Sequence, residues 1–442
     1  MDPDVQYLLS LKSIRERAKV VGEASKAGKL SHFDVHEDRL DAVADFVVSV
    51  IQRDYGPDKF DTIPPHGRWQ HFEVGDVPRI ANLVREWKAA GCDNTELTRR
   101  LIDLFFISVL LDAGAGDHWR YTEPGTEQEY ERSEGIAVAS LHMFTASAYT
   151  SGRDNRPTVD GKGLEQLATE VLVEGFQVSE SNPMLGIDSR ADLLRKLGTS
   201  LLAHPDVFGD QGRPGALVGK TPSVLLTLSI DYLLKTKGET AELDVLVLWK
   251  VLQTLLIPIW PKDRTTVAGH AIGDAWPLST LRSQASFSES DESDPRNIQP
   301  FHKLTQWLTY SLMVPFGSIL DLQWMNADSL TALPEYRNGG LFVDLDVLSL
   351  KKEALDRGLE ASGGPLPLFE AGDDVIVEWR AMTLVLIDRL YQLISDRMQG
   401  VQLTMAQLLE AGTWKSGREI AAKRRPDTKS SPILIKSDGT VF

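Results

Sequence analysis

Helical periodicity is the feature of this sequence that most limits the possible folds. Apolar side chains recur at spacings of three and four residues through most of the chain, as they do on the buried face of an amphipathic helix. No stretch alternates strand and helix as a doubly wound sheet requires. The sequence therefore predicts a mainly α, multi-helical fold. Helices are predicted over residues 4–28, 38–54, 76–90, 94–112, 131–149, 163–174, 188–203, 222–236, 243–256, 302–315, 341–356, 374–398 and 404–411.

Extended structure and loops occupy little of the predicted fold. Short strands are expected near residues 265–276 and in the final PILIKSDGTVF, with a turn at Asp438-Gly439. Residues 281–297 are rich in Ser, Asp and Glu, which predicts a mobile surface loop. We interpret this loop as an insertion in a single helical enzyme unit that spans all 442 residues. The candidate sub-lobes of that unit are residues 1–280 and 298–442.

The charge of the chain limits the classes of partner. A formal net charge of −16 disfavours nucleic acids and anionic membrane surfaces, which require a basic footprint. A local basic pocket remains compatible with a small phosphorylated molecule, so we expect a small-molecule substrate. The apolar runs are too short to span a bilayer, and the first residues lack the pattern of a signal peptide. We expect the protein in the cytosol, or in both the nucleus and the cytosol, and the composition favours no particular oligomeric state.

Metal and cofactor sites are not indicated by the sequence. Cys92 is the only cysteine, so thiolate ligand clusters are excluded, and its Gly-Cys-Asp-Asn context favours a turn between helices over a nucleophile. His32 and His36, and likewise His66 and His71, are closely spaced but lack the HExxH pattern. Solvated or capping roles are favoured for them. We expect no metal and no cofactor.

The sequence LLDAGAGDHWRY at residues 110–121 is the first candidate site. An apolar helix runs into Asp112, and Gly114 and Gly116 then allow a sharp turn before Trp119. A carboxylate at a buried helix end, close to aromatic rings, is a candidate for a shifted pKa. A glycine-rich helix end with a tryptophan in the core is the alternative interpretation.

The second candidate is EGFQVSESNPMLGIDSRADLL at residues 174–194. Asn182 offers neutral hydrogen-bonding groups and begins a turn with the following proline. A purely structural turn before a helix is the favoured interpretation, and substrate binding by Asn182 is the alternative.

The third candidate combines PFHKLTQWLTYSLM at residues 300–313 with LTALPEYRNGGLFVDLDVL at residues 330–348. Polar and aromatic side chains group on one side of the first helix, where ordinary helices carry leucines. Charged residues also crowd the Leu-Pro turn of the second segment, which favours a functional role over an exposed salt-bridged hairpin. The residues singled out are His302, Lys303, Gln306, Trp307, Glu335, Tyr336 and Arg337.

The fourth candidate is VIVEWRAMTLVLIDRL at residues 375–390. Glu378 and Arg380 interrupt a very apolar helix, so at least one of them is expected to be buried with a partner. Arg380 is expected to neutralise Asp112 or Glu335, or to hold a substrate phosphate with two hydrogen bonds. Structural ion pairing is the favoured use of these two residues.

These motifs resemble a known family. LLDAGAGDHWRY, SNPMLGIDSR, PFHKLTQWLTYSL, LPEYRNGGLFVDL, GTWKSGREIA and the terminal SDGTVF are similar to the uracil catabolism protein 4 family of fungal and bacterial uracil degradation. The resemblance covers nearly the whole chain. It implies a pathway in which uracil is ribosylated, the ring is opened and urea is finally released from a ribosylurea-type intermediate.

A shorter resemblance implies a chemistry. Part of the sequence is similar to the queuosine salvage proteins in the order of its residues, which are Asp112, Trp119, Phe301-His302-Lys303, Gln306, Glu335-Tyr336-Arg337, Glu378 and Arg380. Those proteins are helical N-glycosidases whose fold is related to helix-hairpin-helix DNA glycosylases. Their pattern carries an aspartate before the Tyr-Arg pair, where this chain has Glu335.

Both resemblances suggest cleavage of a ribosyl C1–N bond, in which positive charge develops on the sugar ring. A carboxylate near C1 stabilises that charge and orients water, and Glu335 or Asp112 is the candidate. Lys303, with Arg337 or Arg380, is expected to hold a 5′-phosphate, and Gln306 to bind the urea carbonyl. The expected pocket walls are Trp119, Trp307 and Tyr336, and the further substrate-binding candidates are Asn182, His302 and Glu378.

Two other functions remain open at this point. An amidohydrolase acting on the ring-opened ureido compound usually recruits a metal or an activated nucleophile, and the sequence suggests neither. A non-catalytic partner that binds and channels an unstable intermediate is the alternative outside enzymes.

Overall fold

The computed structural model confirms a mainly helical protein. It describes residues 2–112, 114–116, 118–152, 156–218, 233–234, 241–261, 264–284 and 294–436.

The chain forms two compact units that interleave along the sequence. The first unit comprises residues 1–66, 261–306 and 328–437, and the second comprises residues 67–260, 307–327 and 438–442. The chain passes from one unit to the other five times, and the candidate sub-lobes stay predictions. The single enzyme unit stays a prediction.

The described residues of the first unit form helices and four pairs of short strands. Its helices are α1 (Pro3–Leu8), α2 (Leu11–Lys26), α3 (Leu40–Tyr55), α13 (Ser279–Gln284), α15 (Tyr336–Asp344), α16 (Lys352–Ser362), α17 (Asp374–Arg397), α18 (Met405–Leu408), a π-helical turn (Leu409–Trp414) and α19 (Lys415–Arg424). Its strands are β1 (Phe33–Val35), β5 (Thr266–Val267), β6 (His270–Ala271), β7 (Ala275–Pro277), β8 (Ile298–Pro300), β10 (Leu348–Leu350), β11 (Leu368–Glu370) and β12 (Leu434–Lys436). β1 pairs with β10, β5 with β6 and β7 with β8, all antiparallel, and β11 pairs with β12 in parallel.

Helix α17 is the central element of the first unit. The Asp373 side chain caps it by accepting the Val375 N–H at 2.9 Å. Every residue from Val375 to Leu384 is buried, so this helix lies in the core rather than on the surface. Its neighbour α2 approaches closely at Gly22, where an added Cβ would lie 3.0 Å from the Val385 side chain.

The second unit is built around a buried helix. Its helices are α4 (Arg68–Phe72), α5 (Arg79–Ala89), α6 (Asn94–Leu110), α7 (Arg132–Thr145), α8 (Gly161–Glu165), α9 (Thr169–Gly175), α10 (Ile187–Leu202), α11 (Pro205–Phe208) and α12 (Val245–Leu256), together with most of α14 (Lys303–Leu320). Its strands are β2 (Arg120–Thr122), β3 (Glu129–Glu131), β4 (Glu242–Asp244) and β9 (Gln323–Met325). β2 pairs with β3 antiparallel, and β4 pairs with β9 in parallel.

Helix α6 begins at a capped end and then enters the core. The Asp93 side chain accepts the Glu96 N–H at 2.7 Å, and every residue from Leu101 to Leu110 is buried. Because such a helix is apolar all round, its few polar residues need partners inside the unit. Asp103 and Ser108 are two of these buried polar residues.

Some predicted elements differ from the structure. The helix predicted over 341–356 is divided into α15 and α16, because Asp346 adopts a left-handed conformation and β10 then pairs with β1. The helix predicted over 4–28 is interrupted at Ser10, whose side chain caps α2. Residues 222–232 of the helix predicted over 222–236, residues 285–293 of the predicted loop and the turn at Asp438-Gly439 lie outside the described residues.

Within the described part of the chain, we find no helix with the length and apolar character needed to cross a membrane.

Candidate functional site

The β7–β8 ladder of the first unit brings two predicted segments together. Asp274 precedes β7 and Phe301 follows β8, and the two strands pair so that Ala275 lies opposite Pro300. The main-chain oxygen of Asp274 accepts the N–H of Phe301 at 2.9 Å and that of His302 at 3.0 Å. The start of α14 is therefore fixed against Asp274.

Asp274 and Arg380 form a buried ion pair with two hydrogen bonds. The Nη1–Oδ1 and Nη2–Oδ2 distances are 2.8 and 2.7 Å, and neither side chain is more than 3% exposed. Burial alone would raise the pKa of Asp274, but the guanidinium of Arg380 and the N–H of Lys303 lower it well below its usual range. This corrects the expected partners of Arg380, which were Asp112 and Glu335. Structural pairing of Arg380 was the favoured prediction.

The Glu335 carboxylate caps helix α15. Its Oε2 accepts the Arg337 N–H at 2.7 Å, and its Oε1 accepts the Asn338 N–H at 2.6 Å. The residue keeps part of its surface exposed. Burial of the carboxyl raises the pKa of Glu335 above its usual value, while the two N–H donors and the nearby charge of Lys303 oppose the rise. Glu335 is thus a partly exposed residue whose carboxylate is fixed, desolvated and raised in pKa.

Lys303 and His302 begin helix α14 close to this carboxylate. Lys303 is 8% exposed, and its N–H donates to the Asp274 Oδ2 at 2.9 Å. The His302 ring lies 2.8 Å from the main-chain oxygen of Leu8, and burial lowers the pKa of His302. His302 is therefore a neutral side chain that fixes α1 in the first unit, and a substrate contact for it stays a prediction.

Gln306 and Glu378 bind other parts of the protein. The Gln306 amide accepts the Thr331 N–H at 2.8 Å and donates to its hydroxyl at 2.8 Å. Glu378 accepts the N–H groups of Ser31 and His32, both at 2.7 Å. These contacts favour structural roles for both side chains, and their predicted contacts with substrate remain predictions.

Arg337 and Tyr336 lie in the first turn of α15. The Arg337 guanidinium lies over the Tyr336 ring at 5.0 Å and donates to the Lys429 main-chain oxygen at 2.8 Å. Arg337 is buried, whereas Tyr336 is partly exposed. Tyr336 is the better placed of the two to contact a ligand, and phosphate binding by Arg337 stays a prediction.

Asp112 and Trp307 meet in the second unit around Arg68. The Arg68 Nη1 lies 2.9 Å from the Asp112 Oδ2, and the guanidinium carbon lies 5.4 Å from the centre of the Trp307 ring. The Arg68 Nε donates to the Ser108 hydroxyl at 2.7 Å, and its Nη2 finds no acceptor among the described residues. Burial lowers the pKa of Arg68, and the charges of Asp112 and Glu134 oppose this effect. Asp112 is therefore part of a buried ion pair.

Trp119 and Asn182 also lie in the second unit, where both contact the protein. The Trp119 indole N–H donates to the Phe176 main-chain oxygen at 2.9 Å, and the residue is fully buried. The Asn182 amide accepts the Arg120 N–H and donates to the main-chain oxygens of Arg120 and Gln177. These contacts favour the structural interpretation that the sequence suggested for Asn182.

Asp274 was not predicted from the sequence. Its Gly-Asp-Ala-Trp context contains no motif, and its partner Arg380 lies 106 residues further along the chain. The only signal was the need for a carboxylate beside the arginine of an apolar helix.

Metal binding is not suggested by the histidines. His66 contacts Glu410 at 2.6 Å between Nδ1 and Oε2, and His32 contacts Asp374 at 2.7 Å. Across the described ranges, His, Cys, Asp and Glu form no group of three suited to a metal ion. Cys92 lies in the turn between α5 and α6, as predicted.

The second unit also contains a cavity of about 1220 Å³. It lies between the end of α5, the start of α6 and the segment that precedes α8, and none of the predicted site residues lines it. Both basic and acidic residues line it, among them Arg100, Lys162, Asp93 and Asp210.

Comparison with known proteins gives the family. Residues 7–442 match the family described as protein of unknown function (DUF1688). The chain belongs to this family. The relative Protein urg3 of Schizosaccharomyces pombe is 48% identical to this chain over 441 residues, which cover 99% of each of the two chains. A second relative, Uracil catabolism protein 4 of Lachancea kluyveri, is 43% identical over 458 residues, and the alignment covers 100% of both chains.

Proposed function

We propose that this protein is an enzyme of uracil breakdown that hydrolyses the N-glycosidic bond of ribosylurea, or of its 5′-phosphate, and releases urea. The name of the Lachancea kluyveri relative supports the pathway, since that relative matches this chain over its full length. The glycosidase chemistry is supported by the resemblance to the queuosine salvage proteins. A helix-hairpin-helix glycosylase-like core is part of the same proposal.

The reaction needs few groups from the protein. Water adds to C1 of the ribosyl group, the C1–N bond breaks and urea leaves with a proton, so the products are urea and the free sugar or its phosphate. Positive charge develops on the sugar as the bond breaks, and a fixed carboxylate stabilises it. The same carboxylate accepts a proton from the attacking water, and the leaving nitrogen takes up a proton from solvent, so that one proton is released and one is consumed.

The single observation that carries the proposal is the setting of Glu335. Two N–H groups of α15 fix both oxygens of its carboxylate, and part of the residue remains exposed. Its raised pKa makes this carboxylate a stronger proton acceptor than an ordinary solvated glutamate. The charge of Lys303 acts on this carboxylate, so an anionic substrate group beside Lys303 would lie close to it.

Asp112 is the weaker candidate for the same role. Its carboxylate already neutralises Arg68 in the interior of the second unit. A carboxylate that neutralises a buried guanidinium is a poor candidate for stabilising charge on a substrate, because leaving its partner would isolate a buried charge. We therefore assign the catalytic role to Glu335.

The first experiment incubates the full-length, metal-stripped protein with synthetic ribosylurea and with its 5′-phosphate, and follows free urea with a coupled assay. Repeated turnover without added metal supports the glycosidase. Binding of either compound without turnover would instead support a channelling partner. Urea release that depends on an added divalent metal would point to the amidohydrolase reaction.

Substitution of the candidate carboxylate tests the assignment. Glu335→Gln is expected to reduce urea release by about a hundredfold or more. Asp373→Asn is the matched control, since it converts another capping carboxylate of the first unit to an amide. Full activity of Glu335→Gln would reject the catalytic role of Glu335.

A further inference from the structure

One buried ion pair connects the main chain at both residues of the proposed site. The Asp274 Oδ2 accepts the N–H of Lys303 at 2.9 Å, and the Arg380 Nε donates to the main-chain oxygen of Pro334 at 3.2 Å. Pro334 directly precedes Glu335. We call Asp274 and Arg380 the clamp.

Hydrogen bonds hold all three guanidinium nitrogens of Arg380 and both carboxylate oxygens of Asp274 in fixed directions. Arg380 donates through Nε, Nη1 and Nη2, and its guanidinium carbon lies 3.9 Å from the centre of the Phe301 ring. The Asp274 Oδ1 also accepts the Trp276 indole N–H at 2.8 Å. A planar guanidinium with its hydrogen bonds in fixed directions restricts rotation more than a lysine could.

We propose that Asp274 and Arg380 are positioning residues, which hold the main chain at Lys303 and at Pro334 so that the Lys303 ammonium acts on the Glu335 carboxylate. The catalytic importance of this positioning rests on the proposed function. The effect of the Lys303 charge on Glu335 can nevertheless be measured without an activity assay.

The electrostatics at Glu335 make the proposal specific. The charged groups that act on its carboxylate are Lys303 from α14 and Arg337 from its own helix, and both lower the pKa of Glu335 against the effect of burial. Arg337 adjoins Glu335 in the chain, so its place depends little on the clamp. Lys303 lies on another helix, whose first N–H is held by Asp274. Loosening the clamp should therefore weaken the contribution of Lys303.

Two variants release the clamp in different ways. Asp274→Asn removes the carboxylate charge but keeps the shape of the side chain. Arg380→Lys keeps both charges, so it avoids an isolated buried carboxylate, but it cannot donate simultaneously to Pro334 and to both oxygens of Asp274. The second variant keeps the test possible if the first does not fold.

The matched control breaks a similar ion pair at the other end of α15. Asp344 and Arg425 form two hydrogen bonds of 2.7 and 2.6 Å, and the Asp344 side chain is 5% exposed. Asp344→Asn should therefore cost comparable stability without changing the first turn of the helix, where Glu335 lies.

The measurement is a ¹³C NMR titration of side-chain carboxyls in the full-length protein, with the Glu335 signal assigned by its loss in Glu335→Gln. We expect the pKa of Glu335 to increase by about 1 in Arg380→Lys, to increase less in Asp274→Asn, where loss of the carboxylate charge opposes the rise, and to stay unchanged in Asp344→Asn. The acidic limb of the pH profile of kcat for urea release should move to higher pH by the same amount. At pH values below that limb, the kcat of Arg380→Lys should therefore fall about tenfold.

The outcomes separate the two proposals. An unchanged Glu335 titration in folded Arg380→Lys overturns the clamp, and so does an equal change in Asp344→Asn. A shifted titration in a protein that releases no urea from either compound keeps the clamp and rejects the proposed function.

Discussion

The Arg68 guanidinium and the Asp112 carboxylate lie 2.9 Å apart in the interior of the second unit, where the arginine side chain has no exposed surface. Removing one partner of such a pair leaves the other charge buried and without its hydrogen-bonded counter-ion. We expect Asp112→Asn to lower the free energy of unfolding by about 3–5 kcal/mol. Urea or guanidinium denaturation followed by tryptophan fluorescence measures this change.

The control for this prediction is an exposed ion pair in the same unit. Asp192→Asn removes the partner of Arg195, where the two side chains are 65% and 32% exposed, and should cost below about 1 kcal/mol. Equal losses in the free energy of unfolding of Asp112→Asn and Asp192→Asn would contradict a larger contribution from the buried ion pair. Turnover per folded molecule of Asp112→Asn should match that of the wild type, since we assign catalysis to Glu335.

Gln306 should matter for stability rather than for substrate binding. Its replacement by Leu leaves the buried Thr331 N–H without its acceptor, which costs about 1–3 kcal/mol. The KM for the ribosylated urea should remain that of the wild type. A raised KM with unchanged stability would instead restore the predicted contact between Gln306 and the urea carbonyl.

The contact between Gly417 and Arg337 should not tolerate a side chain. A Cβ on Gly417 would lie 2.3 Å from the Arg337 main-chain oxygen, so α19 and the first turn of α15 would have to separate. We expect Gly417→Ala to cost about 1–3 kcal/mol and to reduce urea release, because Glu335 lies in that turn. Gly364→Ala is the control, since its Cβ would meet nothing closer than 3.9 Å. Equal stability of the two variants would disprove the close approach.

His32 should make the stability of the first unit depend on pH. Burial lowers the pKa of His32, but the hydrogen bond to Asp374 and the charges of the surrounding carboxylates together raise it overall, whereas the pKa of Asp374 is lowered. The stabilisation from His32 is therefore complete below its unfolded pKa of about 6.5 and is lost as the pH rises through its folded pKa. That from Asp374 is lost at the acidic end, as the pH falls below about 4.

Comparison of wild type and His32→Asn at several pH values measures this effect. The difference in the free energy of unfolding should be largest near pH 5–6, at about 1 kcal/mol, and should shrink above that range. His36→Asn is the control, because its ring contacts the Ser349 hydroxyl rather than a carboxylate. A difference for His32→Asn that does not vary with pH would contradict the ion pair.

The local pattern of the sequence predicted the long helices well. Helix α17 was predicted over 374–398 and is observed over Asp374–Arg397, because an aspartate cap and a continuous apolar run specify it locally. Pairings between distant segments were not predicted. β1 and β10 lie more than 300 residues apart, and periodicity contains no information on which short strands meet.

In the candidate site, too, local features could be predicted from the sequence, whereas contacts between distant residues could not. The unusual density of polar residues around Lys303 and Glu335 identified both segments, and charge balance required a partner for Arg380. Choosing Asp274 as that partner needed the β7–β8 ladder, which places it beside the start of α14. Gln306 looked available in the sequence because its partner Thr331 lies 25 residues away in a loop.

The three separate segments of the first unit have a consequence for biosynthesis. Residues 1–66 leave the ribosome early, but α17, against which α2 packs, is complete only after Arg397. At ordinary rates of translation the first segment waits on the order of tens of seconds for that helix. The N–H groups of Ser31 and His32 likewise await Glu378. A nascent chain of this protein should therefore bind chaperones through its N-terminal helices until the last third of the chain has been made.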